Sequence, residues 1–163
     1  MQRISKENYY LNIAQTVLER ATCLRRVYGA IIVKNDEIIS TGYNGAPRGR
    51  RNCVDMGYCT RERLQVPRGE RYELCRSVHA EANAIISAAR RDMIGGTLYL
   101  VGRDAASGEL LHDTTSCAMC RRMIINSGIT RVVNRIGDDG IEIIDVQNWI
   151  VNDESIQPKA EAE

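Results

Sequence analysis

Two short segments constrain this chain more than anything else in it: Val78-His79-Ala80-Glu81 and Ser116-Cys117-Ala118-Met119-Cys120. Cysteines at i and i+3 on a helix point to one side about a turn apart, so both sulfurs can reach one ion. In the first helical turn they lie beside free backbone N–H groups and the positive helix end. Both features favour the thiolate, the species that binds metal. His79 supplies a third ligand from the start of another helix. Three protein ligands leave the fourth tetrahedral position open, the pattern of a catalytic zinc site and not of a structural one. Water at such a site ionises near neutral pH. Glu81 follows His79 by two residues, so it should not point the same way as the ligand and is free to move a proton. Any fold for this chain must therefore bring two helix starts together around one ion.

The rest of the pattern supplies those helices and a sheet. Apolar positions Tyr9, Ile13, Val17 (with Leu18) and Ala21 recur at helical spacing within residues 4–24, with Ser5 as a cap. Tyr28–Val33 is a β-branched run, Lys34-Asn35-Asp36 a turn and Glu37–Tyr43 a second strand, which predicts a hairpin. From Asn44 to Ser77 no period is visible, and three cysteines and several Gly and Pro fall there. A loop of that length in a compact domain is usually functional or tied down. His79–Arg91 reads as a helix ended by Gly95-Gly96, Thr97–Gly102 as a strand, and residues 103–116 as a polar connection. Cys117–Ser127 is a helix capped by Gly128, and Thr130–Ile136 is a strand. Strand, helix, strand implies a right-handed parallel crossover. Ile141–Ile144 adds a last strand, and Trp149 anchors the end of the fold. The expected architecture is α/β, a central mixed sheet flanked by helices. It forms a single domain over residues 1–151, with a polar, acidic and disordered tail over 152–163.

Composition narrows the function. With 22 Lys and Arg against 21 Asp and Glu, the net charge is +1, which argues against broad electrostatic binding to nucleic acid. The chain has no Phe and no aromatic stacking strip, which argues against a single-strand binder. One or two arginines still suffice to hold a phosphate. No window approaches the ~18 apolar residues of a membrane span, and the N-terminal residues do not read as a signal-peptide core. A cytoplasmic setting follows, in which six cysteines suggest thiols and metal ligands before disulfides.

A lone C-x-x-C is often a redox pair, and a lone H-x-E is common by chance. Together, in this order and each opening a predicted helix, they match H-x-E … P-C-x-x-C, the zinc-deaminase signature. One position departs from it, since Ser116 stands where the signature has proline; serine can cap a helix start instead. These residues resemble the cytidine and deoxycytidylate deaminase superfamily over most of residues 5–135. Thr41-Gly42-Tyr43-Asn44-Gly45-Ala46-Pro47-Arg48-Gly49, the 34 residues between Asn44 and His79, and Cys75-Arg76-Ser77-Val78-His79-Ala80-Glu81 resemble the deoxycytidylate branch. The resemblance implies a cytidine-deaminase-like three-layer fold and hydrolysis of dCMP to dUMP and ammonia, feeding thymidylate synthesis. Hydroxide attacks C4 of the pyrimidine while Glu81 carries the protons. CMP, dCTP or deoxycytidine are the nearest alternative substrates, and a nucleic-acid base is a more distant one.

The same resemblance implies a homohexamer and control by dCTP and dTTP, with Mg²⁺ accompanying a triphosphate effector. It assigns Tyr43, Asn44, Gly45 and Arg48 to nucleotide binding, Asn44 at the sugar and Arg48 at the phosphate. Asn44 beside Gly45 also suits a plain turn, Arg48 a solvated loop, and Arg121 and Arg122 are rival phosphate contacts. Cys23, Cys53, Cys59 and Cys75 remain. They are either buried free thiols or ligands of a second, structural zinc that orders the long insertion, and relatives with similar cysteines favour the latter. His112 reads as a surface residue and not as a ligand.

Overall fold

The computed structural model describes residues 1–156. Its centre is a five-stranded sheet in the order β2-β1-β3-β4-β5. The strands are β1 (Arg26–Lys34), β2 (Glu37–Tyr43), β3 (Thr97–Asp104), β4 (Arg131–Ile136) and β5 (Gly140–Asp145). β1 and β2 form the expected hairpin, antiparallel. Its two-residue turn uses Asn35 and Asp36 at φ 51° and 62°, which is the type I′ geometry that matches strand twist and that Asn and Asp tolerate. β1 pairs antiparallel with β3, β3 parallel with β4, and β4 antiparallel with β5. The crossover between the parallel pair is helix α6 (Ala118–Ser127), closed by Gly128 at φ 83°.

Alternation along the strands makes three layers. On one face Val27, Ile31, Val33, Tyr99, Val101 and Val133 pack with helix α1 (Lys6–Leu18). On the other Ala30, Ile32, Leu98, Leu100 and Val132 pack with Ala80 and Ala84 of helix α4 (Ala80–Ile86) and Ile124 of α6. Two glycines let helices sit directly on the sheet. A Cβ at Gly29 would lie 2.1 Å from the Ala14 carbonyl oxygen, and one at Gly42 2.3 Å from that of Ala80.

Several expectations need correction. Helix α1 is capped by Ser5 as read, but it ends at Leu18 and buries Tyr10, Leu11, Ala14 and Leu18. Tyr9 is half exposed. At Gly29 the backbone of Ala14 and Leu18 lies against the strand, which sets the face of α1 toward the sheet and away from Tyr9. The single helix expected over 79–91 is two: α4 and the one-turn α5 (Arg90–Met93). The extended backbone at Ala89 redirects the chain so that Met93 enters the core. The stretch from 44 to 77 is not featureless, since it holds the one-turn helices α2 (Cys53–Met56) and α3 (Thr60–Arg63) and a 3-10 turn at Tyr72–Leu74. Its ends are clasped where Gly45 and Val78 exchange backbone hydrogen bonds of 3.2 and 2.8 Å. Trp149, on α7 (Gln147–Val151), packs against the core and under the Arg121 guanidinium at 5.1 Å. Of the expected tail, residues 157–163 lie outside the described residues, and a 3-10 turn spans Glu154–Ile156.

Candidate metal centre

His79 is the N-cap of α4 and Cys117 the N-cap of α6, with Cys120 three residues into the latter. Both helices lie on one face of the sheet, so their starts converge where β3 ends. His79 Nδ1 is 3.5 Å from Cys117 Sγ and 3.4 Å from Cys120 Sγ. A tetrahedral zinc with bonds of roughly 2.0 Å to nitrogen and 2.3 Å to sulfur sets nitrogen and sulfur about 3.5 Å apart. The donor spacing therefore fits zinc. Among the described residues this trio is the one group of three or more such donors within 4.8 Å of one another.

Charge points the same way. The Cys120 thiol hydrogen-bonds to Cys117 and, with His79 beside it, holds Cys117 far below the usual thiol value, at about 4. The same hydrogen bond and burial push Cys120 up. The hydrogen bond to Cys117 raises His79. Two thiols that cannot both ionise around an imidazole become two thiolates once a dication replaces the proton. Glu81 sits in the first turn of α4, 5% exposed, and burial raises its pKa. A carboxyl tuned upward by desolvation suits a group that must both take and return protons. The helix that carries Cys117 starts without help from Ser116. The expected serine cap is absent, and the Ser116 hydroxyl is buried instead beside Glu81, where its interaction favours the carboxylate.

His79 and Cys117 open into a cavity lined also by Glu81, Tyr28, Asn44, Tyr72, Ser77 and Thr115, with Cys120 buried behind them. The Tyr72 ring meets the His79 ring edge-on at 5.4 Å, and the Arg61 guanidinium lies 4.8 Å over Tyr72. Arg61 is in turn fixed by the carbonyls of Pro67 and Glu70. The insertion thus supplies a wall of the cavity and braces the imidazole.

The sequence model of the cytidine and deoxycytidylate deaminase zinc-binding region matches residues 4–135, which include all three donors and Glu81. The chain belongs to this family. Deoxycytidylate deaminase of Mycobacterium phage D29 is 38% identical over 139 residues, covering 82% of this chain and 96% of the phage protein. Deoxycytidylate deaminase of Schizosaccharomyces pombe is 34% identical over 131 residues, covering 80% of this chain but 37% of the yeast protein. The crystal structure of dCMP deaminase from the cyanophage S-TIM5 in apo form superposes with a TM-score of 0.58 at 25% identity, covering 85% of this chain and 88% of that one. The three-layer fold of this deaminase family is thus the fold observed.

Other positions read from the sequence in this deaminase divide. Asn44 lines the cavity, yet its amide also clamps β1, accepting from Tyr28 N (2.8 Å) and donating to the Arg26 carbonyl (2.9 Å). Gly45 is the clasp already described. Tyr43 and Arg48 lie on the surface and do not line the cavity. Arg121 is engaged by the Ser116 carbonyl and Trp149, Arg122 stays outside the cavity, and His112 is exposed against Gly137. The guanidinium groups that do line it are Arg25, Arg26, Arg61 and Arg68, none of which sequence reasoning singled out. The doublet Arg25-Arg26 just before a strand and ahead of Asn44 was the available signal. Cys23, Cys59 and Cys75 line the same cavity, and burial together with the neighbouring Cys23, Cys75 and Cys59 thiols raises Cys53.

Proposed function

We propose that this chain hydrolyses dCMP to dUMP and ammonia, with His79, Cys117 and Cys120 holding zinc and Glu81 moving the protons. The observation that carries the reading is the buried Glu81 beside three donors whose nitrogen–sulfur spacing fits a tetrahedral zinc. A zinc ion in that position would supply water with a pKa of about 7, a nucleophile at neutral pH. Glu81 would take one proton from the attacking water and deliver it to the ring nitrogen, then carry the remaining proton of the new C4 hydroxyl to the amine, which leaves as ammonia. Tyr72 and Tyr28 shield the base from bulk water, and Asn44 offers its amide to the sugar. The phosphate end is read against the cavity arginines Arg25, Arg26, Arg61 and Arg68 in preference to the exposed Arg48. Support for a deoxycytidine monophosphate substrate comes from the phage and yeast relatives, both deoxycytidylate deaminases.

Further parts of the same reading rest on family resemblance. They are a place in thymidylate supply, a cytoplasmic setting, a homohexamer, and control by dCTP and dTTP with Mg²⁺. A second, structural zinc on Cys23, Cys53, Cys59 and Cys75 rests on the same resemblance: Cys23, Cys75 and Cys59 each act on Cys53, though no three of the four sulfurs lie within 4.8 Å of one another. None of the described helices is long and apolar enough to cross a membrane.

A panel of dCMP, CMP, dCTP and deoxycytidine, run on zinc-loaded enzyme with ammonia as the readout, tests the substrate. The expected result is the highest kcat/KM for dCMP. Preference for deoxycytidine would remove the phosphate from the account, and preference for CMP or dCTP would correct the sugar or the phosphate number.

A further inference from the structure

Resting on the phosphate reading above, we propose that Asp113 is a built-in stand-in for the substrate's phosphate, so that substrate binds by exchanging one anion for another on Arg26 and Arg68. Arg26 opens β1, Arg68 lies in the insertion, and Asp113 lies in the connection that leads to Cys117. The three segments meet at one carboxylate. Arg26 Nη1 donates to both Asp113 carboxylate oxygens at 3.3 Å, and Arg68 Nη2 donates to Oδ2 at 2.9 Å. Arg26 and Arg68 both line the cavity that holds His79 and Glu81, whereas Asp113 grips them from outside its wall.

A carboxylate and a phosphate present similar pairs of oxygens to a guanidinium. They differ in charge: near pH 7 a phosphate monoester carries about −1.5 to −2 and a carboxylate −1. In the free enzyme Asp113 keeps the two arginines ordered and partly neutralised. An entering phosphate outcompetes it, and Arg68 then swings from Asp113 to the ligand. A neutral nucleoside has no means of making that exchange, so the carboxylate acts as a threshold that favours phosphorylated substrates and sets how tightly they hold. Side chains of Asp113 and Arg68 are 57% and 68% exposed, which leaves both free to reorient.

The test uses zinc-loaded enzyme and inorganic phosphate as probe, with binding followed by calorimetry and by competitive inhibition of dCMP turnover. Removing a like charge near the site is worth on the order of 1 kcal/mol at hydrated distances, which is about fivefold. Asp113→Asn is therefore expected to bind phosphate about fivefold tighter and to lower KM for dCMP to match. In an Arg68→Gln background, where phosphate binds more weakly, the gain from Asp113→Asn should fall below twofold. Unchanged or weaker phosphate binding in Asp113→Asn overturns the proposal. So does undiminished phosphate binding in Arg68→Gln, a result that decides the matter even if the Asp113 variant does not fold. Calorimetry needs no turnover. A chain that ignores dCMP yet gains phosphate affinity in Asp113→Asn would refute the substrate and leave the exchange standing.

Discussion

Three acids, Glu81, Cys117 and Cys120, share a small volume with one imidazole, and their pKa values are pushed apart: Cys117 down, Cys120 and Glu81 up. Elsewhere single side chains act as fasteners. The Tyr10 hydroxyl on α1 donates to Asp36 in the β1–β2 turn, and Lys6 pairs with the same carboxylate at 3.0 Å. The hydrogen bond to Asp36, with burial added, pushes Tyr10 up to about 12 from a usual value near 10. A phenol whose proton is held more tightly in the folded state contributes its full stability below the unfolded pKa. That contribution is lost as pH rises from about 10 toward 12, because the unfolded chain releases its proton first. Denaturant midpoints measured from pH 8 to 11.5 should therefore fall less steeply across this window in Tyr10→Phe than in the parent. Parallel slopes for the two proteins would show that Tyr10 does not titrate in this way.

Elements are positioned by close contacts that a periodicity argument does not see. The hairpin was legible because Asn-Asp between β-branched runs has a local cause, and the α6 cap because Gly128 needs only its own backbone. The face of α1 and the break after Ile86 were not legible. Both depend on which residues meet Gly29 and on where Met93 must be buried, and those are tertiary facts. The contact between β2 and α4 is the one that matters for chemistry. A Cβ at Gly42 would meet backbone atoms of α4 at 2.3 and 2.4 Å, and backbone cannot rotate aside. Gly42→Ala should cost about 3 kcal/mol of stability, at the upper end for overpacking. It should also weaken zinc binding, since His79 caps the displaced helix. Urea unfolding and zinc content check both, and a variant that holds zinc with parental stability would show that α4 need not sit on the strand.

At the scale of the molecule, the site exists because a mixed sheet gathers segments that are far apart in sequence. The meeting of His79, Cys117 and Cys120 could be read directly, since metal chemistry restricts residue type and spacing so tightly that two short segments carry the signal. The substrate end could not. Arg26, Arg61 and Arg68 come from a strand edge and an irregular insertion whose course is set by the Gly45–Val78 clasp and by carbonyls gripping Arg61. No residue pattern encodes that path, and the conspicuous Arg48 lies outside the cavity it was expected to serve. The account as a whole stands on the division of labour between three metal donors and one proton carrier. It is tested most directly by ammonia release from dCMP for Glu81→Gln beside the parent, with zinc measured on the same samples. The predicted result is one catalytic zinc retained and turnover reduced by at least about 100-fold, the lower bound for loss of a positioned acid–base group. Turnover within a fewfold of the parent, with zinc in place, would contradict it.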